Sequence, residues 1–269
     1  MYSSSSLLAK DTRELVLRLA HKHNTSHIGG SLSVVDILSV LYTDIMKINS
    51  SYPNSKKRDR LFFSKGHACM ALYSILHLQG FFKKFNLLNE FSKDGSLFTS
   101  HVNQLLPGIE LSTGSLGNAA GYACGVALSA KRKNLNYHSF VILSDGELNE
   151  GSNWEAFIFA SHHQLNNLTF IVDCNKIQSF GTTEEVLNLE PLEEKFKSFN
   201  YNVFRIDGHN HKKLKQKLLL SKKSKNFSNI IICDTIKGRG VSFMENKLLW
   251  HYKSPDHDEL FQALKEIKS

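Results

Sequence analysis

Phe140-Val141-Ile142-Leu143-Ser144-Asp145-Gly146-Glu147 and, one helix later, Leu168-Thr169-Phe170-Ile171-Val172-Asp173-Cys174-Asn175-Lys176-Ile177 are the two segments that decide the fold. Each starts as a largely apolar, β-branched and aromatic run, and each ends in polar residues. Unbroken apolar runs of this length mark strands covered on both faces, whereas half-exposed strands alternate. Between them, Ser152–His163 carries Trp154, Phe157 and Ile158, with Leu165 just beyond, at helical spacing. Strand, helix, strand in this order reads as a βαβ unit with parallel strands.

The same alternation continues outward. Val203–Ile206 and Ile230–Cys233 read as further strands, with helical periodicity at Leu192–Phe199 and Lys212–Leu220 between them. Upstream, residues 1–130 read as mostly helical, with candidate helices Leu7–His23, Val34–Met46, Ala68–Gln79 and Ser115–Lys133 joined by loops rich in Gly, Ser and His. The expected class is α/β, a parallel sheet flanked by helices. No linker-like Pro/Gly/Ser tract and no internal repeat divides the chain, so one domain over 1–269 is the economical organisation.

Composition is that of a globular protein, 41% hydrophobic and 22% charged, which argues against disorder. The formal net charge of +8 admits an anionic partner. The basic runs Lys212–Lys217 and Lys222–Lys225 read as a solvated helix face and loop, and aromatic residues do not interleave with them. Nucleic acid is therefore not the expected partner, and the positive field suits phosphorylated small molecules equally well. Cys69, Cys124, Cys174 and Cys233 form no C-x-x-C pair and read as buried thiols. Met1–Ser6 shows no basic segment followed by an apolar one, and no stretch approaches a membrane span. A soluble, cytoplasmic protein with no membrane partner is expected.

Asp145 and Asn175 stand at the carboxyl ends of two strands joined by one helix. In a parallel sheet both ends open on the edge where ligands bind. A carboxylate and an amide oxygen converging there suit a small hard cation such as magnesium, which shares its shell with phosphates and water. Gly146 would let backbone approach a phosphate closely. A bare Asp-Gly after a strand is more often a turn, and Asn175 at this spacing is what adds weight.

Of the 13 histidines, His21, His23, His77, His138, His162, His163, His209, His211 and His257 read as surface or satisfied core residues. Four others sit in loops where a ligand could reach them. These are His27 in Ser26-His27-Ile28-Gly29-Gly30-Ser31, His67 in Ser64-Lys65-Gly66-His67-Ala68, His101 in Thr99-Ser100-His101, and His251 in Trp250-His251-Tyr252-Lys253. Ser112-Thr113-Gly114-Ser115-Leu116-Gly117 and Thr235-Ile236-Lys237-Gly238-Arg239-Gly240 complete the set.

The Asp-Gly…Asn spacing resembles the thiamine-diphosphate signature, and the whole set, in order and spacing, resembles the N-terminal portion of transketolases from about His27 onward. It is similar in particular to separately encoded N-terminal subunits of split transketolases, around Gly29–Asp36, Gly181–Leu192 and Val241–Asn246. The resemblance implies the thiamine-diphosphate-binding fold, its diphosphate-binding domain alone, and ketol transfer from a ketose phosphate to an aldose phosphate. It implies thiamine diphosphate and Mg2+ as cofactors, with Ca2+ or Mn2+ as substitutes. Asp145, Asn175 and the Ile177 main-chain oxygen would hold the metal. His67, Gly146 and His251 would contact the diphosphate, while Gly114 and Leu116 would lie against the aminopyrimidine. His27, His101 and His251 would surround the donor sugar, and Glu150 would match a glutamate near the subunit interface. As a first-turn helix residue beside the dipole, Glu150 is explained nearly as well.

The resemblance also implies a C-terminal transketolase subunit carrying the aminopyrimidine-binding domain, two copies of each chain, and sugar phosphates as substrates. The chain departs from the family in three places. Ser144 replaces the first glycine of Gly-Asp-Gly, which puts a side chain near the diphosphate loop. Ser26-His27-Ile28-Gly29 stands where Gly-His-Pro-Gly is usual, and Ser100-His101-Val102-Asn103 where many members have Gly-His-Pro-Glu. Those loops shape the sugar pocket. Readings that stay open are a split thiamine-diphosphate enzyme acting on a modified or branched sugar, one acting on a 2-oxo acid, and a non-catalytic cofactor-binding scaffold.

Overall fold

The computed structural model describes residues 2–268; Met1 and Ser269, the two ends of the expected domain, lie outside the described residues. Five strands form one sheet: β1 Arg60–Phe63, β2 Ser139–Ser144, β3 Leu168–Cys174, β4 Asn202–Asp207 and β5 Asn229–Asp234. Their spatial order is β1-β2-β3-β5-β4, and every neighbouring pair is parallel. The expected strands recur with bounds extended by one or two residues, and β1 is the short strand that precedes His67.

The reason those runs are unbroken is visible in the packing. Phe140 and Ile142 of β2 and Ile171 of β3 face one apolar cluster, while Val141, Leu143, Phe170 and Val172 face the other. Every residue of β2 and β3 is buried, whereas β4, at the sheet edge, is mostly half-buried. The helices are α1 Ser5–His23, α2 Ile28–Ser33, α3 Val35–Val40, α4 Cys69–Leu78, α5 Leu87–Glu90, α6 Ala119–Arg132, α7 Gly151–His162, α8 Thr183–Leu187, α9 Leu192–Ser198, α10 His211–Lys223 and α11 His257–Lys268. The first cluster takes its helical partners from α1 to α5, α10 and α11, and the second from α6, α7 and α9.

Several local expectations are corrected. The Val34–Met46 helix is α3 followed by a π turn at Leu41–Ile45. The Gly/Ser stretch after His27, read as loop, is the helix α2, all of it buried. Burial supplies what its two glycines withhold in propensity. The helix expected from Ser115 begins at Ala119. The terminal helix α11 has no counterpart among the expected helices; it buries Ala263 and lays Leu260, Leu264 and Ile267 on the first cluster. All four cysteines are free and buried, as expected. Among the described residues no helix is long and apolar enough to cross a membrane.

The carboxyl edge of the sheet carries the loops that matter. Ser64–His67 leaves β1, Asp145 leaves β2, Asn175 leaves β3, and Thr235–Lys237 leaves β5.

Candidate functional site

These loops, with α2 and the segment around His251, enclose a cleft of about 380 Å3 at that edge. His27, His67, His101, His251, Gly114, Leu116, Asp145, Gly146, Glu150, Asn175 and Ile177 all line it, so every residue singled out from sequence converges on one place. The imidazoles cluster: the His27 ring centroid lies 4.9 Å from that of His251, 5.4 Å from that of His67 and 6.1 Å from that of His101.

The backbone holds them there. His27 takes a left-handed φ of 69° and starts α2, its N–H donating to the His251 carbonyl at 2.8 Å. Such a conformation at a non-glycine residue costs about 1–3 kcal/mol and tends to accompany functional sites. Gly66 sets His67: a Cβ there would collide with the Thr113 carbonyl and lie 2.6 Å from the Gly114 nitrogen, so only glycine lets the two loops touch. A Cβ on Gly114 would in turn meet His101 Cδ2 at 2.9 Å, which places that backbone directly against the ring. The altered loop after His101 is anchored by Tyr73, whose hydroxyl donates to the His101 carbonyl at 2.7 Å and accepts from the Asn103 N–H at 3.1 Å.

Burial and neighbouring positive charge keep His27, His67 and His251 without charge. Burial, with His101 and Lys237 nearby, lowers His27 to about 4. Burial, Lys237 and His27 lower His251 to about 3. Burial together with Lys65 holds His67 well below the ordinary histidine value. Burial, with Lys65 alongside, brings Lys237 down to about 8. The cleft is thus lined by the Lys237 cation and by His27, His67 and His251, which burial and that charge discourage from protonating, an arrangement relieved by an incoming anion.

Asp145 is 6% exposed; one carboxylate oxygen accepts from the Gly146 N–H at 2.8 Å and the other from the Lys176 N–H. Burial and the nearby Asp173 charge raise it to about 6. Asn175 Oδ1 accepts from the Ile177 N–H at 3.2 Å, and its amide donates to Ser33 Oγ at 3.4 Å. The Ile177 carbonyl accepts from Lys237 Nζ at 2.9 Å. Carboxylate and carbonyl oxygens keep further lone pairs after one hydrogen bond, so this set fits an oxygen-seeking cation that completes its shell with phosphate and water. Among the described residues no group of three or more His, Cys, Asp and Glu is arranged for a metal.

Family-model comparison matches residues 4–267 to the thiamine diphosphate binding domain of transketolase. The chain belongs to the transketolase family. It is 34% identical over 265 residues to one of the subunits of the apulose-4-phosphate transketolase of Phocaeicola vulgatus, covering 97% of this chain and 92% of that one. It is 40% identical over 240 residues to a 6-deoxy-6-sulfo-D-fructose transketolase subunit of a Clostridium species, covering 89% and 87%. The solved transketolase of Campylobacter jejuni superposes with a TM-score of 0.92 at 30% identity, over 98% of this chain and 42% of that one. The α/β fold expected from the resemblance is the fold found, and the chain spans less than half of that full-length transketolase.

Within this transketolase-family cleft the structure adds groups that sequence reading passed over. Lys65 and Asp173 form an ion pair, both side chains 0% exposed, and Asp173 also accepts from Ser33 and Thr235. Lys65 further donates to the Gly30 carbonyl at 3.1 Å, so the pair ties α2 to the ends of β1, β3 and β5. A signal existed: an Asp inside an otherwise apolar strand needs a partner. Glu147, fully buried, accepts from the Gly117 N–H at 2.9 Å, the Ser144 N–H at 3.3 Å and the Ser64 hydroxyl. Glu150, singled out from sequence, is exposed on the rim at the start of α7. Ser144, in place of the family's first glycine, lines the cleft and turns its hydroxyl to accept from the Glu147 N–H at 3.3 Å. Lys237 lay in a quoted motif without a role; its ammonium also donates to His251 Nδ1 at 3.1 Å.

Proposed function

We propose that this chain is the diphosphate- and metal-binding subunit of a two-chain transketolase, one folded unit over 1–269. The single observation that carries the reading is the convergence of His27, His67, His101 and His251 with Asp145, Asn175 and Ile177 in one cleft at the carboxyl edge of the sheet. Thiamine diphosphate, when bound, supplies the electron sink that lets the C2–C3 bond of a ketose break. Asp145, Asn175 and the Ile177 carbonyl hold Mg2+, and Ca2+ or Mn2+ would serve in its place. His67, Lys237, His251 and the Gly146 backbone face the diphosphate, while Gly114 and Leu116 border the aminopyrimidine.

The chain's own chemistry at the sugar is proton traffic. His27 and His251, lowered to about 4 and about 3, are neutral at pH 7, so each ring offers one N–H donor and one acceptor nitrogen. His27 and His101 orient the donor hydroxyls and take the proton that the C3 hydroxyl must lose. His251, polarised by Lys237 on its Nδ1, donates toward the carbonyl oxygen as charge develops there. Glu150, on the open rim, faces the subunit interface.

The aminopyrimidine-binding domain comes from a partner chain, with two copies of each chain in the assembly; relatives named as transketolase subunits support this. The departures around His27 and His101, together with relatives named for apulose 4-phosphate and 6-deoxy-6-sulfo-D-fructose, favour a modified or branched sugar as donor. The protein works in the cytoplasm on small anionic sugars. Co-purification with a candidate partner chain, followed by ketol transfer assays from xylulose 5-phosphate and from a sulfo- or branched ketose to an aldose phosphate, tests the reading. Transfer by the mixture alone, with Mg2+ and cofactor, is the expected result. A mixture that binds cofactor and transfers from no sugar makes the chain a scaffold instead. His101→Ala should lower turnover by about 100-fold or more; unchanged turnover with cofactor bound removes His101 from the chemistry.

A further inference from the structure

His209, by sequence an ordinary surface or core histidine, lies outside the cleft. It leaves the end of the edge strand β4 in Asp207-Gly208-His209, and its side chain is 10% exposed. Its two ring nitrogens have different partners. Nε2 accepts the backbone N–H of Ile236 at 2.8 Å, and Nδ1 faces Asp36 Oδ2 at 2.7 Å. Because Nε2 accepts, Nδ1 carries the proton and donates it to the carboxylate.

Each partner is itself fixed. Asp36, 4% exposed, is gripped by the two terminal guanidinium nitrogens of Arg13 and by His211 Nε2 at 2.9 Å. Burial alone would raise its carboxyl, but the Arg13 charge and the bonds from His209 and His211 hold it well below the ordinary value. Ile236 lies in the turn after β5 and immediately precedes Lys237. Around it, Thr235 N donates to the Cys174 carbonyl, Gly238 N to the Gly29 carbonyl, and Asn246 N to the Lys237 carbonyl. Within the turn, Ile236 N is held by the His209 side chain and Gly240 N by that of Glu245 at 3.1 Å. Gly208 permits the approach: a Cβ there would lie 2.5 Å from Thr235 Cγ2 and 3.0 Å from Cys233 Cβ.

We propose that His209 is a positioning residue for the cofactor cleft, fixing the Thr235–Gly240 turn through the Ile236 N–H and thereby aiming Lys237, with Asp36 selecting the ring tautomer that makes this possible. The chain of contacts runs from Arg13 on α1 through Asp36 on α3 and His209 after β4 to the turn after β5. The edge strand, which lends no side chain to the cleft, thus sets one of its cations. The link to the diphosphate rests on the function proposed above; the link to the turn does not.

Two substitutions in the full chain separate the two ring nitrogens. Gln at 209 can place its amide oxygen where Nε2 stands, and Asn its amide group where Nδ1 stands. Two properties are read: hydrogen exchange of the Ile236 amide, and binding of inorganic pyrophosphate with Mg2+ by calorimetry. His209→Asn should speed exchange at Ile236 and weaken pyrophosphate binding, each by about tenfold, the effect of one lost buried hydrogen bond. His209→Gln should restore both to within about threefold of wild type. If Gln loses more than Asn, His209 serves only to satisfy Asp36 and the proposal is overturned. Unchanged exchange at Ile236 in the Asn variant overturns it as well. Should either variant fail to fold, the 15N spectrum of the wild-type ring decides: a protonated Nε2 refutes the assignment. Wild-type protein that binds no pyrophosphate, yet shows the exchange pattern, supports the positioning of the turn and overturns the cofactor reading.

Discussion

The two sides of the cleft are built differently. On the floor, Lys65, Asp173 and Glu147 are 0% exposed and share hydrogen bonds with Ser33, Ser64, Gly117 and Thr235. On the rim, His101 and Glu150 are exposed, and Phe180 is 83% exposed. The floor orients charges by burying them among fixed partners, and it is complete within this chain. The rim offers apolar and polar groups to solvent with few partners, as expected of a surface that another molecule finishes. Anchoring the invariable part of a ligand needs the first kind of construction, and admitting a variable part suits the second.

The largest way to break the contrast is Lys65→Met. Leaving Asp173 charged and unpaired in the core should cost about 3–5 kcal/mol of stability, measured by urea unfolding. A loss under about 1 kcal/mol would show that the floor is not held by this pair. Next is Asp145→Asn. Cofactor affinity in the presence of Mg2+ should fall by about 100-fold or more in calorimetric titration. Stability without metal should change by no more than about 1 kcal/mol, because relief of a buried charge raised to about 6 offsets one lost acceptor.

A third test uses pH. His27, His67 and His251 have folded values below the unfolded one, so the unfolded chain binds more protons between the two. Their contribution is full above about 6.5 and is lost as pH falls toward about 4. His77 and His138, also lowered by burial, act in the same sense, while Asp145 and Glu147, raised in the fold, work in the opposite sense over the lower part of that window, so five groups outweigh two. Thermal midpoints should therefore drop between pH 6.5 and 4, and pyrophosphate should flatten the drop by favouring protonated histidine. Midpoints that stay level or rise would contradict the buried, neutral cluster. The smallest effect is expected at Phe180→Ala, within about 0.5 kcal/mol by thermal unfolding. A larger loss would mean that the rim is packed within this chain after all.

Legibility followed the same division. Strands β2 to β5 could be read because each is an apolar run long enough to outweigh local ambiguity, and Asp145 and Asn175 because they end such runs. His27, His67 and His101 could be read because small residues stand beside them, and His251 by its place in the family pattern. The helix α2 could not be read, since its glycines disfavour a helix that burial then enforces. Glu150 drew the eye and Glu147 did not, although three residues apart, because exposure is a property of the fold.

Sequence by itself determined the parallel α/β architecture, the family, and the residues that line the cleft, because periodicity and motif spacing are local quantities. Tertiary structure alone decided that Lys65 meets Asp173 across 108 residues, that Lys237 bridges Ile177 and His251, and that Asp36 steers His209 onto Ile236. Those pairings depend on which strand ends lie side by side, and the order β1-β2-β3-β5-β4, with β5 inserted between β3 and β4, is fixed only when both faces of the sheet are covered.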